Sequence, residues 1–232
     1  MLPLRPQDDP GVRPRRPPAT ERQQQRRPRR LRRPVQDLIS SRAPPSPRRE
    51  ERIRMANRYP QEAAVRDGRR VLLKPFTGSD VDALYAFFQR LPEDTRRFAW
   101  DRIDDRGLIE SWGRQIDYGK VFPLLAWDGT RVVADASLHR RDGGPLRLVG
   151  RIKWLIDPDF RGVGLGTLLV NHFITLARHE GLRHLTCMLI SDLEADAVHT
   201  LEGLGFQSYK IPRYGTDPDG QPHDMTKMVL EL

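Results

Sequence analysis

A single cysteine, Cys187, stands among 232 residues. That scarcity excludes an internal disulfide framework and any multi-thiolate metal site, and no metal is expected. Apolar residues nowhere run for the ~18 positions that a membrane-spanning helix needs, so no membrane partner is expected. The N-terminus lacks the apolar core of a signal peptide, which makes the cytoplasm the expected location. Hydrophobic residues are also scarce, at 38% of the chain, where ~45–50% apolar residues including glycine is usual for a globular domain. Lysine is missing altogether from residues 1–54, which carry 16 arginines and 6 acids, while residues 55–232 carry 24 basic and 25 acidic groups. The net charge of +9 therefore describes the beginning of the chain and not the rest.

Eleven of the 20 prolines also fall within residues 1–54, interleaved with arginine, as in Arg15-Arg16-Pro17-Pro18. Proline removes backbone donors, like charges repel, and almost no apolar surface is present to offset the entropy of ordering. Residues 1–64 are expected to form a disordered tail, with a short basic helix conceivable over 28–42, and residues 65–232 a folded domain. Three readings of the tail stand side by side. Met55 sits where the composition changes and is a candidate alternative initiator; the tail is simply solvated; or its arginines contact nucleic acid through phosphates.

Beyond the tail, Arg70 to Phe76 reads as a strand, and Val81, Leu84, Tyr85, Phe87 and Phe88 fall at helical spacing. Leu91-Pro92-Glu93 breaks that helix, and Leu108 to Ile116 suggests another. Val121 to Trp127 is strand-like, with Asp128-Gly129 a turn into Arg131 to His139. Asp142-Gly143-Gly144-Pro145 makes a second turn, into a strand at Leu146 to Ile156. A long helix through Leu168, Leu169, His172, Phe173, Leu176 and Ala177 ends at Gly181. A buried strand at His184–Ile190, a helix at Ala195–Leu204 and strands at Phe206–Ile211 and Met225–Leu230 complete the pattern. The expected fold is mixed α/β (α+β), with one central, mainly antiparallel sheet.

Between the third strand of the meander and the long helix lies Arg161-Gly162-Val163-Gly164-Leu165-Gly166-Thr167. Its glycines free the backbone to curl, so that successive N–H groups can point at one anion, and the helix adds its positive N-terminal end. A phosphate or diphosphate is the natural ligand. A Walker loop requires Gly-Lys-Ser/Thr, but here Gly166 precedes Thr167 directly. A dinucleotide loop requires G-x-G-x-x-G in a parallel unit, but Leu169 stands where the last glycine would be. The pattern R/Q-x-x-G-x-G/A fits.

With this loop the chain resembles the GNAT superfamily of acyl-CoA-dependent N-acyltransferases over roughly residues 68–232. The stretch from Glu194 to Phe206 is similar to the later helix of that family, N-x-x-A-x-x-x-Y-x-x-x-G-F, and Phe87 to Phe98 is similar to the opening of bacterial Pat-type protein lysine acetyltransferases. The resemblance implies helices flanking the sheet, acetyl-CoA as co-substrate, and direct attack of an amine on the thioester. It implies a CoA diphosphate on the amides of Arg161, Gly162, Val163, Gly164, Leu165, Gly166 and Thr167, and pantetheine along Leu155 and Ile156, where a backbone N–H near Ile156 polarises the carbonyl. Glu194 takes the place of the usual asparagine, either capping its helix or touching CoA.

Two departures bear on catalysis. Many relatives carry a glutamate base on the strand before the loop, and the matching position here is Arg151, which cannot accept a proton at physiological pH. Lys153 shares its face; the two cations either recognise an anionic group on the acceptor or are an exposed strand face. Many relatives also carry a tyrosine acid where this chain has Leu201. Asp135 and His139, with Ser137, share one strand face and are candidate bases, against the plainer reading of a surface carboxylate and a satisfied histidine. The expected activity is N-acetyl transfer from acetyl-CoA to a protein lysine, a protein N-terminus or a small amine; the alternative is an acyl-CoA-binding regulatory module with little or no turnover.

Overall fold

The computed structural model describes residues 59–232. The expected tail, its basic helix, Met55 and the nucleic-acid contact lie outside the described residues, except for the last positions before 65. Those positions correct the expected boundary: Gln61–Ala64 is a strand, β1, hydrogen-bonded antiparallel to β2 (Arg70–Pro75). The chain then passes through α1 (Val81–Arg90), α2 (Glu93–Arg97) and α3 (Arg106–Arg114) before the meander β3 (Val121–Asp128), β4 (Arg131–His139) and β5 (Val149–Ile156). After the meander come α4 (Leu165–His179), β6 (His184–Ile190), α5 (Ala195–Gly203), β7 (Gln207–Thr216) and β8 (Pro222–Glu231).

All strands join one eight-stranded sheet in the order β1-β2-β3-β4-β5-β6-β8-β7. Every neighbouring pair is antiparallel except β5 and β6. The mixed, mainly antiparallel sheet expected from the alternating segments is therefore present. Two apolar layers cover it. On one face, Leu165, Leu169, Phe173 and Ala177 of α4 and Leu201 of α5 close over Leu124, Ala134, Ala136, Leu138 and Ile152. On the other, Leu84, Phe87 and Phe88 of α1 and Ile109 of α3 meet Leu125 and Val132.

Two departures from regularity position everything that follows. First, the β3–β4 register shifts at Ala126/Trp127, so that Trp127 opposes Val132 but Ala126 opposes Ala134. The extra residue, Val133, reverses the side-chain alternation of the rest of β4. Second, β5 and β6 pair only through Val149–Arg151 and His184–Thr186. Beyond Arg151 the two strands separate and leave a gap in the middle of the sheet.

The gap is followed at once by a stiff turn. Asp157, 5% exposed, accepts hydrogen bonds from the Asp159 N–H at 3.1 Å and from Arg131 at 2.6 Å, and heads the short helical turn Pro158–Phe160. Asp157→Ala removes both bonds and the anchor of the chain that enters the glycine-rich segment. The expected loss is about 1–3 kcal/mol of unfolding free energy, measured by urea denaturation.

Candidate active site

The glycine segment 161–167 is a curl that ends on the N-terminus of α4. Gly162 and Gly164 take φ of +72° and +87°, the left-handed region in which a side chain is strained. The Arg161 N–H is used within the turn, donating to the Pro158 carbonyl at 3.1 Å, and the first helical bond runs from Leu168 N–H to Gly164 O at 3.0 Å. Among the described residues the N–H groups of residues 162–167 have no partner. An uninterrupted run of free donors at the start of a 15-residue helix is an anion cradle. Gly162, Val163, Gly164, Leu165, Gly166 and Thr167, the residues expected to meet a diphosphate, supply these free N–H groups. Arg161 does not contribute its amide; its side chain instead donates to Thr95 Oγ1 of α2 at 3.0 Å and to the Ile156 carbonyl at 3.4 Å.

The gap beside the cradle carries the second part of the site. The Asp157 N–H bonds Val133 O at 2.9 Å, and Ala134 opposes Ile156. In that antiparallel register the amide groups of residues 153, 155 and 157 turn toward β4, and those of Trp154 and Ile156 turn toward the gap. Of the two residues expected there, Ile156 fits. Leu155 does not: its backbone faces β4, and Trp154 takes its place. Across the gap, Glu194 precedes α5 without capping it; its carboxylate turns back to accept the Ile190 N–H at 2.7 Å. Burial raises the Glu194 pKa, opposed by that hydrogen bond and by the Arg161 charge.

Arg66 was not among the residues picked out from sequence. It lies in the turn between β1 and β2, donates its N–H to Val163 O at 2.8 Å and lays its side chain against Gly164. A cation thus borders the cradle. The only local sign of it is the turn Arg66-Asp67-Gly68, which says nothing of a contact so far along the chain.

On the α1/α3 face, the shifted register places Asp135 opposite Leu155, Ser137 opposite Lys153 and His139 opposite Arg151. The structure therefore brings together Asp135, His139, Arg151 and Lys153, whose common face sequence alone left open. Ser137 Oγ and His139 Nε2 are 2.8 Å apart. Lys153 pairs at 2.8 Å with Asp101, from the segment after α2. Burial pushes the Asp135 pKa up to about 7; the Asp101 charge adds to the rise and Lys153 opposes it. His139 is pushed down to about 4, first by burial and then by Lys153 and Arg151. At neutral pH His139 is therefore a poor base, whereas Asp135 is poised between its two states.

Around this cluster, Trp100, Arg151, Ile152, Lys153 and Met188 line a shallow depression. Its flank is fastened by the turn between β7 and β8, where Asp219 pairs with Arg97, and by the start of β8, where His223 meets the Phe98 ring edge-on at 5.5 Å. Cys187 is 4% exposed, and burial raises its thiol pKa, so it is a core residue and not a nucleophile. Leu201, 2% exposed, fills the core under α5.

Comparison with known proteins agrees with this architecture. Residues 82–206 match the model of the acetyltransferase (GNAT) family. Among solved structures, the GNAT domain of S. lividans PAT is 17% identical, with a TM-score of 0.61, over 74% of this chain and 96% of that one. The ribosomal-protein-S5-alanine acetyltransferase from Vibrio fischeri is 16% identical, with a TM-score of 0.61, over 69% and 92%. A putative acetyltransferase from Salmonella typhimurium, solved with its cofactor acetyl-CoA, is 21% identical, with a TM-score of 0.59, over 70% and 94%.

Proposed function

The chain belongs to the GNAT acetyltransferase family, and from that premise we propose that it moves an acetyl group from acetyl-CoA to an amine, a protein lysine in first place and a protein N-terminus or small amine after it. The observation that carries this reading is the run of free N–H groups over residues 162–167 beside the gap between β5 and β6. The residues present suit the donor. The cradle takes its diphosphate, Arg66 adds a cation at the edge, and Trp154 and Ile156 offer backbone groups to the pantetheine arm. Acetyl-CoA supplies an acetyl group activated as a thioester.

The chain's own residues then have distinct tasks. The N–H of Ile156 donates to the acetyl carbonyl and favours the negative charge that develops there. An acceptor lysine has a pKa near ~10.4 and must lose a proton before it can attack. The position where many relatives carry glutamate is filled by Arg151, and the carboxylate next to the gap comes instead from the neighbouring strand as Asp135. Asp135 takes the proton, the new C–N bond forms, the C–S bond breaks, and the thiolate leaves to be protonated by solvent. Leu201 has no proton to give.

Asp101 tunes this base. Asp101→Asn removes the charge that raises Asp135 and frees Lys153, which lowers it. The acid limb of kcat/KM against pH is expected to move to lower pH, and an unmoved limb would detach Asp135 from the reaction.

Incubation with acetyl-CoA and a panel of blocked peptides, free N-termini and small amines, read by mass spectrometry, tests the reading. Mass gain on an amine supports it. Tight acetyl-CoA binding with no transfer to any acceptor would instead favour a regulatory acyl-CoA-binding module, the reading that Arg151 and Leu201 motivate.

A further inference from the structure

We propose that the acceptor is a lysine on a peptide segment with acidic residues flanking it, received by Arg151 and Lys227; the inference rests on the transferase reading above. The register across the sheet sets out the surface. Arg151 lies opposite Thr186, Met188 follows two residues on, Lys227 lies opposite Met188, and Tyr209 lies opposite Lys227. All of them share the face that carries Asp135 and Lys153. This strip runs away from the catalytic end of the gap, and Trp100 overhangs its start.

Its charges are unequally matched. Lys153 is neutralised by Asp101 at 2.8 Å. Arg151 and Lys227 are exposed and have no carboxylate partner among the described residues. Glu231, on the same face of β8, stands opposite His184 at the far end of that strand. Between the two free cations lie apolar groups, Met188 in the floor and Trp100, 54% exposed, above it, and Tyr209, 51% exposed, continues the strip beyond Lys227. Exposed aromatic and thioether surface between unpaired cations is suited to an extended segment whose acids meet the cations and whose carbon skeleton lies between them.

The shape argues for a peptide over a small molecule. The depression at Trp100 and Met188 is shallow and open to solvent, unlike the ~300–1,000 Å³ pockets that engulf small ligands. Leu155, beside Asp135, and Arg151 are about 13 Å apart at ~3.3 Å per strand residue, which is the reach of about four extended residues. A lysine side chain can enter at Asp135 while acids two to four positions away meet Arg151 and Lys227.

The test uses the full chain, acetyl-CoA and N-terminally blocked peptides with one central lysine flanked on both sides by glutamate, glutamine or arginine. The glutamate peptide is expected to exceed the glutamine peptide in kcat/KM by about three- to tenfold at low salt, the arginine peptide to be poorest, and the preference to fade as salt is raised. Arg151→Glu with Lys227→Glu is expected to invert the order while the Kd for acetyl-CoA is unchanged. Equal rates on all three peptides, an equal loss on all three in the double variant, or transfer to free glutamate in preference to the glutamate peptide would overturn the proposal. If no peptide is acetylated, anisotropy of the labelled peptides on acetyl-CoA-saturated protein separates the two readings. Selective binding of the glutamate peptide keeps this inference and removes the transferase, whereas unselective or absent binding removes this inference.

Discussion

Gly164→Glu is expected to raise the Kd for acetyl-CoA by at least about 100-fold, measured by isothermal titration calorimetry, which is a loss of about 2.7 kcal/mol of binding free energy. The argument is geometric and electrostatic together. Gly164 stands at φ +87° directly before α4, within the run of free amides. A carboxylate there sits where the proposed diphosphate would bind, satisfies the donors that would have met it, and competes for the Arg66 side chain, 3.1–3.4 Å from the position of the new Cβ. Backbone strain alone cannot be the cause if the right comparison is made. Gly181, at the C-terminal end of α4, has φ +70° and open space around its Cβ position. Gly181→Glu therefore carries a similar left-handed penalty of about 1–2 kcal/mol, and it is expected to lower Tm by a few degrees while binding acetyl-CoA normally. A Gly164→Glu protein that binds within about threefold of the parent would show that the amides of residues 162–167 hold nothing.

That cradle was legible because its signal is local. Glycines at positions needing positive φ, followed by an apolar period of 3.6, specify a curl on a helix start without reference to the rest of the chain. The meander β3–β4–β5 was legible for the same reason, from alternation and turn residues. What escaped was whatever depends on distant pairing. β1 is Gln61-Glu62-Ala63-Ala64, with no apolar alternation, and it is a strand because β2 offers a free edge. α2 is one turn after Pro92, short enough to read as the break that ends α1. Arg66 reaches the cradle only through the folded sheet. The assignment of Trp154 in place of Leu155 turned on which amides the β4 pairing consumes, and pairing is not a property of β5 alone. The face of Asp135 is the sharpest case. Without the shift at Val133, Asp135 would oppose Leu124 and point into the layer under α4; the single extra residue turns it to the α1/α3 face, beside Leu155 and Lys153.

Asp135→Asn is expected to cut kcat by about 10²–10⁴-fold, the range for a positioned proton acceptor, and to abolish the acid limb near pH 7 while acetyl-CoA still binds. The same substitution should make the protein more stable, and the sign follows from linkage. The folded carboxyl titrates at about 7, whereas an unfolded aspartate titrates near ~3.9. Between those values the folded state keeps a proton that the unfolded state has lost, so the parent loses stability as pH rises from about 4 to about 7 and regains none above it. Asparagine has no such slope. The variant should therefore match the parent near pH 4 and exceed it at pH 8 by about 1.4 kcal/mol for each unit of displaced ionisation, at most about 4 kcal/mol, read by urea denaturation at the two pH values. Slower turnover in a more stable protein cannot be ascribed to damaged folding. Full activity in Asp135→Asn would mean that the proton leaves the amine by another route, and parallel stability curves from pH 4 to 8 would mean that Asp135 is not held away from its ordinary ionisation.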